Sequence, residues 1–405
     1  MQIKNPQKTV SAIAVASAAL FGLSNVAEAQ ELFGAYSDYS QNSGYDLQEH
    51  VLADSDLFEL FKFGVRAGFT FDDNIFLTDG NEESDMIFKT DIIMSVKNRE
   101  TAENSWVLTY IPTFKLYTNY SDLNGVDHNV NAGFSKTFAK SLVRLGADYA
   151  SIFGSNRYVA GQVQKDALGA DIYVSHELSG KTRADLTFDF SGEDFGDNST
   201  LVGRNRYTTR LSALYQLTGK TNIGPYLGYE YTSVKGGSDQ KSASFGANVE
   251  YQAMAKTSLN GFIGIENRDF TDSTMNDRPS LNYNLGASHL YSGKLSFDAS
   301  LYRNTRPGYT SNSNSFTTTG AYLGARHRTT ERVSLRTRIN YAHDDYFGPT
   351  SDGLDSDYVS LSIGGDYLIP IGLRLGADLT FRTKTSDNST NFDNTIFQVN
   401  ASYYF

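Results

Sequence analysis

From about Leu60 to its last residue the chain repeats one unit: a long segment of alternating apolar and polar residues, a tight turn, a second alternating segment and a more polar connection. Alternation with period 2 puts successive side chains on opposite faces of a β-strand. In the final segment, Phe392 to Phe405, the residues Phe397, Val399, Ala401, Tyr403 and Phe405 share one face, while Gln398, Asn400 and Ser402 share the other. Arg204 to Leu217 repeats the pattern, with Tyr207, Leu211, Ala213, Tyr215 and Leu217 opposite Arg206, Arg210, Ser212 and Gln216. Such segments suit a tilted strand crossing a hydrocarbon layer, which takes roughly 9 to 11 residues, better than soluble strands of about 5 to 6.

The tight turns are alike: Ala139-Lys140-Ser141, Ser179-Gly180-Lys181, Thr218-Gly219-Lys220, Ala255-Lys256, Ser292-Gly293-Lys294, Thr330-Glu331-Arg332 and Pro370-Ile371-Gly372. Measured between their basic residues and Gly372, they recur at separations of 41, 39, 36, 38, 38 and 40 residues. A period near 40 also suits a propeller blade, but a blade packs four short strands into each repeat. Two long strands per repeat make the unit a hairpin. The pattern predicts an all-β fold, an antiparallel transmembrane β-barrel of about 18 strands, with short periplasmic turns and longer extracellular loops rich in Asp, Asn, Ser and Gly.

At the other end, Lys4 and Lys8 precede an apolar run from Val10 to Leu23, followed by Ala27-Glu28-Ala29. That order predicts a secretory signal peptide over residues 1–29, with cleavage after Ala29 and export by the general secretory route. Residues 30–59 do not alternate well and are acidic and Tyr-rich, as expected of a periplasmic segment or a partial plug in the lumen. The barrel is expected over residues 60–405, in a Gram-negative outer membrane. Past Leu23 polar residues recur too often for a spanning helix, so a membrane is crossed by a closed barrel or not at all.

Composition then narrows the chemistry. Without Cys there is no disulfide framework, thiolate metal site, Cys nucleophile or lipoprotein anchor. A mean hydropathy of −0.39, with 26 Tyr, 26 Phe and 35 Gly, fits a barrel because half its strand residues face water. Loss of the leader removes two Lys and one Glu, moving the net charge from −11 to −12 and arguing against nucleic acid as a partner. The six His are scattered without metal-ligand spacing, and no Gly-x-Ser-x-Gly elbow is present. No enzyme activity and no cofactor are expected. Asp72-Asp73-Asn74 and Asp344-Asp345 do not match a Ca²⁺ loop and read as acidic turns.

On the face opposite the apolar one, charges are numerous, so the lumen must be hydrated or densely ion-paired. Arg326, Arg336, Arg338, Arg374 and Arg382 fall on nearby predicted strands and would form a basic ladder attracting anions, while Asp366 and Asp378 on the same wall would pair with it. Tyr226, Tyr302 and Tyr322 are lumenal candidates for stacking on sugar rings. Aromatics near strand ends, among them Phe61, Phe63, Trp106, Tyr229, Tyr231 and Tyr291, predict girdles at the membrane interfaces.

Two short stretches carry resemblances. A terminal Phe405 two residues after Tyr403 resembles the C-terminal signal that outer-membrane barrels present to the barrel assembly machinery. Phe69-Thr70-Phe71-Asp72-Asp73-Asn74-Ile75-Phe76-Leu77-Thr78 resembles the aromatic-Asp-(Asp/Ser)-Asn-Ile-(Phe/Tyr)-x-Thr stretch of the β-barrel porins found in exopolysaccharide gene clusters. That resemblance implies a channel for hydrophilic solutes, exporting an extracellular polysaccharide with a periplasmic export protein as partner. A general diffusion porin, or a non-conducting structural or adhesive barrel, remains the alternative. A barrel hydrolase would need a Ser and a His on the outer wall and fits least.

Overall fold

The computed structural model describes residues 60–98, 104–196, 201–271, 277–309, 315–348, 353–387 and 390–405. The expected signal peptide over residues 1–29 and the segment 30–59 lie outside them. Eighteen strands follow one another. The first six are β1 (Phe61–Asp72), β2 (Asp85–Lys97), β3 (Asn104–Tyr117), β4 (Gly125–Thr137), β5 (Ser141–Asn156) and β6 (Gly161–Ser179). Next come β7 (Thr182–Phe195), β8 (Arg204–Thr218), β9 (Thr221–Val234), β10 (Gln240–Met254), β11 (Thr257–Phe270) and β12 (Arg278–Leu290). The last are β13 (Leu295–Pro307), β14 (Ser315–Arg328), β15 (Val333–Phe347), β16 (Asp355–Leu368), β17 (Arg374–Ser386) and β18 (Phe392–Tyr404).

Each strand pairs antiparallel with its neighbours in sequence, and β1 pairs with both β2 and β18, so the sheet closes on itself. Closure leaves no edge whose amides would face lipid. At the seam Gly64 stands opposite Tyr404 and Asp72 opposite Ile396. The chain end completes it: the Phe405 amide donates to the Phe63 carbonyl at 2.8 Å, and the Phe405 ring packs 5.7 Å from Phe63 and 4.9 Å from Tyr403. Pro112, which has no amide hydrogen, sits where the β2–β3 ladder skips from Asp91 opposite Thr113 to Met94 opposite Tyr110.

The alternation sorts the two faces as the pattern predicts. Phe63, Trp106, Tyr215, Tyr251, Tyr291, Tyr367 and Tyr403 are exposed on the outer face toward the rim of tight turns, and Phe71, Phe114, Tyr149, Tyr207, Tyr229, Tyr341 and Phe381 toward the other rim. Between them run aliphatics such as Ile172, Leu211, Leu227, Ile263, Leu301, Leu323 and Ile339. Rings at two levels with hydrocarbon between them mark the two membrane interfaces. Several strands run further toward the loop rim than the sequence suggests. β7 continues to Phe195 and β15 to Phe347, where Gly192, Asp194, Asp344 and Asp345 read as turn residues. Above the girdle water solvates both faces, so polar residues continue a ladder there at no desolvation cost. The loops are correspondingly compact, residues 73–84 forming the longest.

Candidate functional site: the lumen and its extracellular closure

The lumen wall is built from the inward half of every strand, and its charges are tied together across strands. Arg183 on β7 bridges Asp185 at 2.8 Å and Glu250 on β10 at 2.6 Å. Arg268 on β11 holds Glu230 at 2.9 Å and Glu266 at 2.7 Å. Lys165 on β6 reaches Glu193 at 2.8 Å. Charge is unevenly spread round the ring. On the lumenal faces of β5 to β10 the signs nearly balance, Asp148, Asp171, Asp185, Asp189, Glu193, Glu230 and Glu250 standing with Arg144, Lys165, Arg183, Arg204, Arg206 and Arg210, whereas β13 to β17 carry Arg306, Arg326, Arg336, Arg338, Arg374, Arg382 and Lys384 against Asp298, Asp344, Asp366 and Asp378. The excess of positive charge therefore lies on the β13–β17 side of the lumen.

The predicted arginines all point inward but do not form one ladder. Arg326 and Arg336 stand directly opposite on β14 and β15, with Arg338 one step along the same face opposite Gly324. Like charges so placed repel. Arg336 is neutralised by Asp378, at 2.6 Å from Nη2, and by Asp366. Arg374 lies at the periplasmic end of β17 and makes no ion pair among the described residues. Arg382 belongs to the other end of the lumen, where it donates to Asn394 at 2.8 Å. Of the tyrosines, Tyr226 is buried to 1% exposure against Phe262, with the Arg210 guanidinium 5.0 Å from its ring centroid. A Cβ on Gly246 or Gly264 would collide with its ring. Tyr226 therefore fills the wall and has no ring face free for a sugar, which corrects the expectation for that residue. Tyr302 lies over Gly320, and Tyr322 shares the face of Gly324 with Asp298, both half-buried.

At the extracellular mouth the loops fold inward. The β1–β2 loop begins with Asp72-Asp73-Asn74, the acidic turn of the sequence motif, and each side chain has a structural task. The Asn74 amide group donates to the carbonyls of Thr78 and Asp393 at 2.9 Å each, and its Oδ1 accepts from the Thr78 amide at 2.9 Å. Asn394 donates to Asp72 Oδ1 at 2.6 Å, and the Thr395 amide donates to Asp73 Oδ1 at 2.6 Å. Asp85 accepts the amides of Thr118, Asn119 and Tyr120 at 3.1 to 3.2 Å, tying the β3–β4 loop to the same corner. So fixed, the loop throws Ile75 and Leu77 into the lumen, 1% and 0% exposed. Leu77 packs with Ala342 on β15, Tyr358 on β16, Phe392 on β18 and Ala160 from the β5–β6 loop.

A second cluster lies beside the first: Val163, Leu201, Tyr309 and Phe316 are buried, with Tyr158, Val159, Phe195 and Tyr346 against them. Tyr158 stacks on Tyr309 at 4.1 Å, and Phe316 lies 5.3 Å from Tyr346. β6 and β14 are eight places apart in a ring of 18, so these contacts cross the mouth. The far end of the β13–β14 hairpin leans in to make them and is covered on both faces. Thr305, Pro307, Ser315 and Thr317, on the side that faces lipid lower down, are buried too. Arg268 donates to the Thr305 carbonyl at 3.0 Å, Gln240 to Ser315 Oγ at 2.8 Å, and Arg204 to the Pro307 carbonyl at 2.8 Å. The Val202 amide donates to the Tyr309 carbonyl at 2.9 Å. Lys384 donates to the Arg157 carbonyl at 2.9 Å from below.

Leu77 and Ala160 are the two non-glycine residues with positive φ among the described residues, 53° and 49°, and both sit in the first cluster. Side chains with a Cβ pay for that conformation, so the closure holds strain that its packing offsets. Beneath it lies a cavity of about 100 Å³ lined by Thr70, Lys89, Lys115, Asp127, Arg382 and Gln398, roofed by Ile75. Thr70 is 3% exposed and its Oγ1 has no hydrogen-bond partner among the described residues. Lys115 pairs with Asp127 at 2.7 Å. No cluster of metal-ligating side chains occurs among the described residues. The closure leaves little trace in the sequence because its members are scattered over loops and strand ends. One available signal was the alternation of apolar Ile75 and Leu77 just after Asn74, in a loop otherwise polar.

A closed, up-and-down barrel of 18 antiparallel strands with aromatic girdles and a charged lumen has the architecture of an outer-membrane β-barrel. Residues 213–405, from within β8 to the end, match the family model described as "Putative beta-barrel porin-2, OmpL-like". The resemblance to β-barrel porins is thereby borne out; the exopolysaccharide association is no part of that match. Among solved structures, OpdK of Pseudomonas aeruginosa with vanillate is 12% identical, covering 85% of this chain and 99% of its own, at a TM-score of 0.46. OccK2 (OpdF) of the same organism with glucuronate is 10% identical over 85% and 98%, at 0.45. OccAB3 of Acinetobacter baumannii is 13% identical over 85% and 98%, at 0.44. No curated protein matches the chain.

Proposed function

We propose that the protein is an outer-membrane channel for small hydrophilic solutes, closed at its extracellular mouth in this conformation and opened by withdrawal of the β1–β2 loop and the β13–β14 tip. The observation that carries the reading is where the obstruction lies. The wall is a complete ring enclosing charged, partly exposed side chains, while the apolar block is made by loops and one hairpin tip. A purely structural barrel has no need of a charged interior, since unpaired lumenal charge costs stability. The basic excess on β13 to β17 would draw anionic groups of a solute to that side, with Thr70, Lys89 and Lys115 offering a resting place under the closure. The channel is no enzyme, and the assembly machinery would read Tyr403 and Phe405.

Export of an extracellular polysaccharide, aided by a periplasmic export protein, is the second reading. It is favoured by the fact that the stretch resembling the exopolysaccharide-linked porins, Phe69 to Thr78, forms part of the closure itself. A sugar chain would have to displace both apolar clusters, a larger movement than a small solute requires. Planar-bilayer conductance of the refolded mature protein, with and without residues 30–59, tests the channel reading. Conductance that rises when the β1–β2 loop is shortened supports it; folded protein that never conducts, whichever loop is altered, contradicts it. Flux of charged oligosaccharides through the opened variant separates the second reading from the first.

A further inference from the structure

The rim of tight turns carries a feature that the lumen does not explain. Six successive hairpins, β4–β5 to β14–β15, each present one exposed basic residue at the same place: Lys140, Lys181, Lys220, Lys256, Lys294 and Arg332. Their equivalence is structural. The carbonyl of each accepts a backbone amide from the next hairpin at 2.7 to 2.8 Å, from Glu177, Gln216, Gln252, Leu290, Arg328 and Leu368 in turn. In four of the turns the amide of the basic residue also donates to a hydroxyl two residues earlier, Ser179, Thr218, Ser292 or Thr330, at 3.1 to 3.3 Å. Adjacent hairpins stand two strands apart, so the charges are spaced at roughly 10 Å along the rim.

What lies next to four of the charges identifies the partner. Phe138, Leu178, Leu217 and Tyr291, on the lipid-facing side just before Lys140, Lys181, Lys220 and Lys294, are 49%, 59%, 61% and 66% exposed. An apolar side chain at the acyl level with an ammonium beyond it matches one leaflet: hydrocarbon, then headgroup. The acidic groups nearest the turns are Glu177 and Glu331, too few to neutralise the row. The chain as a whole is acidic, at −11, so a row of one sign here is not a by-product of composition.

We propose that these six residues form a collar that binds the phosphate headgroups of anionic phospholipids in the periplasmic leaflet and enriches such lipids around the β4–β15 arc. Between β16 and β17 the equivalent place is Gly372, so that hairpin does not carry the feature. The collar is independent of what crosses the lumen.

The test is the lipid preference of the refolded mature protein in phosphatidylcholine vesicles containing spin-labelled phosphatidylglycerol or spin-labelled phosphatidylcholine. The collar predicts a several-fold preference for phosphatidylglycerol that weakens as salt rises, because exposed charges are screened. Replacement of the five Lys and Arg332 by Gln should bring it close to one, while the five Lys→Arg changes should keep it. The Lys→Arg variant guards against loss of fold, as does heat-modifiable migration of the Gln variant. No preference in the unaltered protein would overturn the inference, whatever acidic protein the rim binds. An equal preference in the folded Gln variant would do the same.

Discussion

The two rims are made from the same hairpins yet end in opposite ways. At the periplasmic rim the six hairpins from β4–β5 to β14–β15 close in a few residues, four of them turning on a Ser or Thr hydroxyl, and each carries an exposed basic side chain. At the extracellular rim the connections are longer, rich in Asp and Asn, and spend those side chains on their own backbone, as Asp72, Asp73, Asn74 and Asp85 do. One rim addresses the membrane and the other addresses the pore. Loop length alone does not produce the second outcome: the β5–β6 loop, residues 157–160, is short but sends Tyr158 and Ala160 into both clusters. Capped turns decide the direction, and apolar residues placed after them decide what is filled.

If that contrast is right, removing the apolar content of the closure should matter most. Phe316→Asp combined with Leu77→Asp puts two charges where the side chains are 1% and 0% exposed. The expected result is a severalfold rise in single-channel conductance with barrel stability kept, because the strands are paired independently of the loops. Second is the loop lock. Asn74→Ala removes three hydrogen bonds that hold the β1–β2 loop, each worth about 1 kcal/mol net. Frequent brief openings should appear in bilayer recordings, with unchanged conductance of the fully open state.

The wall answers differently from the mouth. Arg336→Ala leaves Asp366 and Asp378 without their partner and should cost about 3 kcal/mol, read as a lower denaturation midpoint with little change in gating. Adding Asp378→Ala to it should recover part of that loss. Arg374, which makes no ion pair among the described residues, should show the reverse behaviour. Arg374→Ala should leave the denaturation midpoint alone and shift the reversal potential in a salt gradient modestly toward cation preference. The smallest effect is expected at Ala160, whose φ of 49° suits glycine. Ala160→Gly should relieve roughly 1 kcal/mol of strain and lengthen closed times slightly.

Much of this architecture could be read before the structure. Hairpin period, strand number, inward arginines and outward aromatics all follow from a period-2 pattern, because a strand fixes the direction of every side chain from its position alone. Arg326, Arg336 and Arg338 came together for that reason. The closure was not legible: its residues, such as Leu77, Ala160, Leu201 and Tyr309, lie in irregular backbone, where position gives no direction. Tyr226 shows a second limit. Its inward direction follows from the pattern, but whether its ring stands in the lumen or lies on the wall depends on Gly246 and Gly264, on the next two strands. Inward direction is a property of one strand, and free ring area is a property of three.

The central claim is that the pore is blocked by its loops and not by its wall. It is tested most directly by single-channel conductance of the refolded mature protein beside the Phe316→Asp, Leu77→Asp variant. Rare or small openings in the unaltered protein and large, sustained, ion-selective currents in the variant are the predicted result. Equal currents in the two proteins, or none in a folded variant, would contradict it.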